Sequence, residues 1–555
     1  MLTIVHGRRE KVEPSPMMAS CSNADIVAQE RLVSALRDAA ASDAGGGSVA
    51  VIETHISHVL LTGQFAYKIK KPVGLGFVDF RTLESRRFYC EEELRLNRRL
   101  APELYLDVVA ITGSVAAPTL CGSGPAIEYA VKMREFPQDA LASRVLARGE
   151  LSGALVDALA AQVAGFHRAA AVASAEGRFG APDTILRLAL QNFHQLRPLL
   201  ANPADIKALD KLAEWTRGEH ATCAQAMARR REQGFIRECH GDLHLGNIAI
   251  LEGKPIIFDC IEFNEEMRWI DVMSEVAFTV MDLKERGRAD LAQRFLNAYL
   301  EITGDYDGLS VLRFYLVYRA MVRAKVSRLR AGQLPNRDAS AALGAEYDGY
   351  VRLANSYALS PRPALVITHG LAGSGKTTLS QALLEMIGAV RIRTDVERKR
   401  LHGLPAIARD HAGIDAGVYA PEATREAYRR ALELARGATA AGYVVIVDAT
   451  FLSHWQRQLF RDLATESGLP FVIVTFVANE ATLRERIVRR LHDASDASDA
   501  DLAVLEHQLQ TQEPLAPDEL VDTVAYDAEA ALDEAPSRAR WRDVLDRLAP
   551  ERSIS

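Results

Sequence analysis

Residues 370–378 read GLAGSGKTT, between an apolar run, ALVIT at 364–368, and a helix-forming run, LSQALLEMI at 379–387. No other stretch limits the fold of this chain as much. Glycines such as Gly370, Gly373 and Gly375 let successive backbone N–H groups turn inward around phosphate oxygens, and a helix that starts there adds the partial positive charge of its N-terminus. The pattern G-x-x-x-x-G-K-[ST] requires a strand before it and a helix after it. Within it Lys376 is expected to reach the β- and γ-phosphates and Thr377 to ligate Mg²⁺, with Ser374 and Thr378 completing the nucleotide-binding loop. The runs AVRIRT (389–394), YVVIVDAT (443–450) and FVIVTFV (471–477) suit strands covered on both faces, as in a parallel sheet.

Three further features lie in the same region. Asp448 ends the run VVIVD, where a buried strand would deliver a carboxylate to the edge of a metal; the alternative is a strand-end cap. Asp395 closes the run AVRIRTD, and Arg398, three residues on, shares its helical face. In ATLRERIVRRL (481–491), Leu483, Ile487 and Leu491 form an apolar face with Arg486, Arg489 and Arg490 beside it. From Ala364 to Arg490 the chain resembles the small P-loop kinases, particularly the zeta-toxin, gluconate-kinase and polynucleotide-5′-kinase group. The resemblance implies Asp448 as a Walker-B metal ligand and Asp395 as the base that takes the acceptor hydroxyl's proton. It also implies Arg398 as a hold on the acceptor and Arg486 as a lid arginine stabilising charge on the transferring phosphoryl group. A helix cap at Asp395 and a solvated face for the arginines are the plain alternatives.

A second polar cluster, HGDLHLGN at 240–247, runs into an apolar stretch, and PIIFD follows at 255–259. His240-Gly241-Asp242 with Asn247 five residues later reproduces the Asp-to-Asn step of the protein-kinase catalytic loop. The step lets the aspartate face an acceptor hydroxyl while the asparagine turns back to a metal, and Asp259 at the strand end converges on the same centre. With Gly241 in place of Arg, the stretch resembles the aminoglycoside phosphotransferase (APH)-like kinases, which include choline and other small-molecule kinases. By that resemblance Asp242 is the catalytic base and Asn247 and Asp259 hold Mg²⁺. The following residues read DCIEF rather than D-F-G, which argues against a protein kinase.

The rest of this kinase is expected upstream. In FAYKIK, Ala66 and Lys68 share a strand face at the A-x-K spacing, so Lys68 is expected to pair the α/β-phosphates, with Lys70 as a substitute on that face. Glu93, or failing it Glu92, is the expected partner on the next helix. Gly63 in LTGQF is a lone glycine where protein kinases carry a Gly-rich loop, and IEYAVKMREFP (127–137) is the expected hinge strand. VAGFHRAA (163–170) is similar to the helix before the APH catalytic loop. In RFYLVYRAMVRAKVSRLR (313–330), Arg319 and Arg323 read first as a solvated basic face and second as an acceptor-phosphate site.

At 555 residues the chain exceeds a single core. The composition shifts divide it into a flexible N-terminal extension with a short helix (1–47), a phosphotransferase domain (48–357), a linker around SPRPA (358–363) and a P-loop kinase domain (364–555). The expected class is multidomain α/β: an N-terminal protein-kinase-like (APH) bilobal α+β fold, then a P-loop NTPase with a doubly wound parallel sheet. A net charge of −7 disfavours nucleic acid as a partner. No run approaches the roughly 18 apolar residues of a membrane span. Six cysteines, scattered without paired spacing, read as free thiols in a reducing cytosol. With an N-terminus that is no signal peptide, this predicts a cytoplasmic protein.

Over roughly residues 48–545 the chain resembles bacterial bifunctional APH/P-loop proteins. The expectation is an ATP- and Mg²⁺-dependent phosphotransferase with two kinase sites, each acting on a small-molecule hydroxyl. The alternatives are one active kinase regulated by a second ATP-binding module, or a toxin-like or polynucleotide 5′-kinase in the C-terminal part.

Overall fold

The computed structural model describes residues 23–43, 49–75, 78–332, 337–406, 417–493, 500–530 and 534–548. The chain forms two compact units, one combining Met1–Arg286 with Val311–Ala358 and the other combining Gly287–Ser310 with Leu359–Ser555.

The first unit begins on an antiparallel six-stranded sheet, in the order Ala50–Glu53, Ser57–Leu61, Phe65–Lys70, Glu128–Arg134, Tyr105–Ser114, Ala117–Leu120. The two β-rich runs that the sequence breaks at Thr62–Gly63 form a hairpin, and its register sets Val59 opposite Lys68. Alternation along the strands sends Leu60, Tyr67 and Ile69 to one face, where helix Asn23–Asp43 covers them with Leu32, Val33 and Leu36. Helix Leu83–Asn97, capped by Thr82, buries Cys90, Glu93, Leu96 and Asn97. A carboxylate buried on that helix needs a cation on a neighbouring strand. The strands Tyr105–Ser114 and Ala117–Leu120 were not expected from the sequence, since polar and glycine residues break their apolar alternation.

The helical part of this unit is built around helix Val272–Glu285, in which every residue from Val272 to Leu283 is buried. Ser274 Oγ apart, its polar side chains find partners inside the protein, and three of them hold the 240–247 loop: Glu275 accepts from Gly241 N (2.7 Å), Asp282 from Leu245 N (2.9 Å), and Thr279 donates to Leu243 O (2.8 Å). The sequence from Trp269 to about Tyr357 reads as helical, but Trp269–Asp271 is a short strand paired antiparallel with Ile236–Glu238, and Asp271 then caps the helix by accepting from Met273 N.

The second unit carries a five-stranded parallel sheet in the order Val390–Arg393, Val444–Asp448, Ala364–His369, Phe471–Val477, Thr523–Asp527. Its core packs Val366, Leu379, Leu383, Ile446 and Val474 with Tyr526 and Trp541, whose rings stack at 4.2 Å. Thr523–Asp527 is too short and polar to stand out in the sequence. The second strand ends at Arg393, so Asp395 lies in the first turn of helix Thr394–Leu401 rather than at a strand end.

Helix Ala289–Thr303, which the sequence division places within 48–357, belongs to this unit. The reason is a set of bonds to the edge strand. Gln293 and Asn297 donate to Ala389 O (2.6 and 3.0 Å), and Asn297 Oδ1 accepts from Arg391 N (2.6 Å). Among the described residues no helix is long and apolar enough to cross a membrane.

Candidate active sites

In the first unit the 240–247 loop is fixed from within. His240 Nε2 bonds Phe258 O (2.8 Å) while its Nδ1 accepts from Asp242 N (3.2 Å). Asn247 Nδ2 donates both to Asp242 O (2.9 Å) and to Asp242 Oδ2 (3.0 Å), so the Asp242 and Asn247 side chains meet. Gly241, at φ +90°, has no substitute here: a Cβ would fall 2.6 Å from Met267 O.

His244 Nδ1 accepts from Gly246 N (3.0 Å), which puts the proton of the neutral ring on Nε2, 3.4 Å from Asp242 Oδ2. Burial acts to raise the Asp242 carboxyl, but His244 and Arg323 hold it well below the ordinary carboxylate range, so it stays ionised.

Lys68 Nζ donates to Glu93 Oε1 (2.7 Å) and to Asp259 Oδ1 (2.6 Å). Lys70, on the same strand face, donates to Glu93 Oε2 (2.7 Å) and to Glu262. Glu93 thus serves both lysines, and only Lys68 reaches Asp259. Glu92, the fallback, turns instead to Arg95 and Arg268. Burial acts against the Lys68 ammonium, but Asp259 and Glu93 raise its pKa well above the ordinary value. Asp259 sits at φ +64°, a conformation that non-glycine residues rarely adopt. Its backbone is joined to the loop through Phe258, whose N–H bonds Asn247 O (3.0 Å). Glu262 was missed in the sequence; the signal was a second acid three residues after Asp259 in DCIEF.

Beside Lys68 and Asp259 lies a cavity of about 40 Å³, walled by Val59, Ala66, Met133 and Phe136. The end of the expected hinge strand forms its rim, with Gln138 Oε1 buried and unpartnered. Gly63 at the hairpin tip donates to Glu135 Oε2 (2.8 Å), a tie in place of a Gly-rich loop.

Arg319 and Arg323 are not a solvated face. They are 4% and 7% exposed: Arg319 Nη1 donates to Gly241 O (3.4 Å) and Arg323 Nη1 lies 3.4 Å from His244 Nε2. Helix Leu309–Ala331 turns both inward toward the loop.

In the second unit Gly370, Gly373 and Gly375 all take positive φ. Side chains are excluded there by packing as well, since a Cβ on Gly373 would lie 2.7 Å from Leu483 O. Lys376 Nζ folds back over the loop onto Gly370 O (2.9 Å) and Leu371 O (2.8 Å). Ser374 is buried and Thr378 exposed. Thr377 Oγ1 donates to Asp448 Oδ2 (2.7 Å), bringing the two expected metal ligands together.

Asp395 and Arg398 pair at 3.3 Å, with the guanidinium over Tyr419. Their neighbour Thr394 donates to Asp448 O (3.4 Å), which places this turn at the metal edge. Arg486 donates to Ala528 O (2.7 Å) with Nη1 beside Gly375, whereas Arg489 is exposed. Sequence reasoning missed Arg391, which donates to Thr377 O (2.9 Å), and Arg393, which bonds Glu301 (2.9 Å) and approaches Asp448 (3.8 Å). The alternating RIR of that strand was the only signal.

Comparison with known proteins finds relatives of both parts of the chain. The model of the phosphotransferase enzyme family (APH) matches residues 85–315, and the model of an AAA domain matches residues 365–515. Protein Rv2004c of Mycobacterium tuberculosis is 33% identical over 453 residues, 81% of this chain and 87% of that protein. The chain belongs to the same family as Rv2004c, with an APH phosphotransferase domain over residues 85–315 and a P-loop kinase-like domain over residues 365–515.

Similar solved structures are a choline/ethanolamine kinase family protein from Mesorhizobium loti and a gluconokinase from Sinorhizobium meliloti. The first is 12% identical, covers 59% of this chain and 94% of its own, and has a TM-score of 0.37. The second is 25% identical, covers 34% and 93%, and has a TM-score of 0.24. In this two-part phosphotransferase the APH match holds Glu93, Asp242, Asn247 and Asp259, with Lys68 upstream of it and Arg323 beyond it. The P-loop match holds residues 370–378, Asp395, Asp448 and Arg486.

Proposed function

We propose that the chain is an ATP-dependent phosphotransferase with two kinase sites, each transferring a phosphoryl group to a hydroxyl of a small molecule. The observation that carries this reading is the Lys68 ammonium bonded at once to Glu93 and Asp259, beside a cavity and next to the loop on which Asn247 holds Asp242. At the first site Asn247 and Asp259 offer the hard oxygen donors that suit Mg²⁺, and at the second Thr377 and Asp448 do so. Glycines where a Cβ would strike backbone fit a triphosphate cradle at the second site. ATP bound at either site supplies the transferable γ-phosphoryl group.

The chain's own residues do the rest. Lys68, fixed by Glu93, offers a positioned ammonium to phosphate oxygens. Asp242, kept ionised and oriented by Asn247 and His244, accepts the proton of an acceptor hydroxyl. At the second site Lys376 swings from the loop carbonyls to phosphate oxygens. There Asp395 takes the acceptor's proton while Arg398 holds the acceptor and Arg486 faces the developing charge.

The test uses γ-labelled ATP and a cell extract. Asp242→Ala and Asp395→Ala should each abolish a different labelled product while nucleotide still binds. Label that appears only as free phosphate, across broad metabolite pools, overturns the proposal.

A further inference from the structure

Three residues that line a single small cavity of the first unit each carry a buried polar atom without a hydrogen-bond partner among the described residues: Ser274 Oγ, Tyr315 Oη and Arg319 Nη2. The three residues are 2%, 1% and 4% exposed. The cavity measures about 30 Å³ and is walled further by Phe179 and Trp269, whose rings stack at 5.5 Å. A water needs roughly 10–15 Å³ of such space, so the cavity admits about two waters or the head of one small anion.

Charge decides between them. Arg319 donates Nε to Ser274 O (3.2 Å) and Nη1 to Gly241 O (3.4 Å), and its guanidinium lies over the Phe278 and Tyr318 rings. Among the described residues no carboxylate stands within ion-pair distance of it. The two acids on the cavity wall are engaged elsewhere, Asp271 with Arg230 (2.8 Å) and Glu266 with Arg187 (3.0 Å). Water can satisfy an N–H, but only an anion neutralises a buried guanidinium, and an uncompensated buried charge is costly. Two hydroxyl donors stand ready beside it. The cavity also abuts the catalytic loop: Arg319 grips the carbonyl one residue before Asp242, and Met267, on the cavity wall, is the residue that forbids a side chain at Gly241.

We propose that this cavity is an anion-binding subsite that anchors the acceptor of the Asp242 site through a carboxylate or phosphate group. The acceptor is then an anionic alcohol, either a hydroxy acid or a phosphorylated alcohol. The anchoring role rests on the phosphotransferase reading above; the anion site does not.

Trp269 supplies the readout. The full chain is titrated at constant ionic strength with inorganic phosphate and, separately, with malonate, following tryptophan fluorescence. A saturable change is expected that disappears in Trp269→Phe and persists in Asp242→Asn. It should weaken about tenfold in Tyr315→Phe and in Ser274→Ala, each of which drops one hydroxyl and keeps the rest of the side chain. Which anion saturates tells a phosphate anchor from a carboxylate one. The bound anion should also compete with the acceptor in Asp242-dependent transfer from labelled ATP. No saturable change, or unaltered midpoints in the hydroxyl variants, overturns the subsite and leaves a water pocket. Binding without competition overturns the anchoring role. If no Asp242-dependent transfer is found while the fluorescence response persists, the kinase reading fails and the anion site stands.

Discussion

Glu93 is a single carboxylate divided between two buried ammonium groups. Lys68 takes one oxygen and Lys70 the other, and only Lys68 continues to Asp259. Removing the charge while keeping the shape isolates its role. Glu93→Gln leaves two buried lysines sharing an amide, and breaking a buried pair of this kind costs about 3–5 kcal/mol. Transfer at the Asp242 site should fall steeply and thermal denaturation should come earlier. Transfer lost in Asp395→Ala should be unaffected in Glu93→Gln, because Asp395 belongs to the second unit. A variant with wild-type melting and wild-type turnover would mean that Glu262 alone suffices for Lys70 and that Lys68 needs no partner. At this scale the sequence was most legible where spacing carries the chemistry: the Asp242-to-Asn247 step, the A-x-K face and the glycines of the 370–378 loop. It was least legible where a residue acts through distant folding. Nothing in MVRAK or in RIR announces that Arg323 stands beside His244 or that Arg393 reaches Glu301 and Asp448.

Helix Val272–Glu285 acts as the frame of the first site. It is buried on every side, so its acids could be kept only by giving them partners, and those partners are backbone N–H groups of the 240–247 loop and the ring of His167. Glu275→Ala leaves Gly241 N and His167 buried without their acceptor. Such a loss costs about 2–5 kcal/mol. The geometric consequence is a loosened Asp242, so turnover should drop while nucleotide affinity, read by equilibrium binding, stays near wild type. Equal losses in both would show a general collapse rather than a displaced loop. The elements themselves divide along physical lines. Continuous apolar runs such as VVIVD and FVIVTFV were readable because a strand covered on both faces needs them. Tyr105–Ser114, Trp269–Asp271 and Thr523–Asp527 were not, because pairing with a neighbour sustains them rather than their own pattern. Asp395 shifted from strand end to helix turn because pairing stops two residues earlier, at Arg393.

At the scale of the molecule, the boundary between the two units is not one point in the chain. Residues 287–310 leave the first unit's sequence, serve the second, and are followed by two more helices of the first. One contact boundary falls between Ala358 and Leu359, but the earlier excursion carries no compositional sign: helix Ala289–Thr303 has the ordinary amphipathic pattern of its neighbours. Two fragments make the point testable. One starting at Leu359 lacks Gln293 and Asn297, and so leaves Ala389 O and Arg391 N without their partners. It should melt at a lower temperature, or aggregate, compared with a fragment that joins residues 287–310 to 359–555 through a short linker. Equal melting of the two would show that the helix is a passenger.

That excursion also sets a timetable for synthesis. Asn297 emerges from the ribosome 94 residues before its partner Arg391. At translation speeds of about 5–20 residues per second, the interval is roughly 5–20 s. For that time Gln293 and Asn297 have no edge strand to bond, on a helix that also carries the apolar residues Leu291, Phe295, Leu296 and Leu300. The nascent chain must carry a greasy helix in waiting, and demand for a chaperone should peak while residues 300–390 are being made.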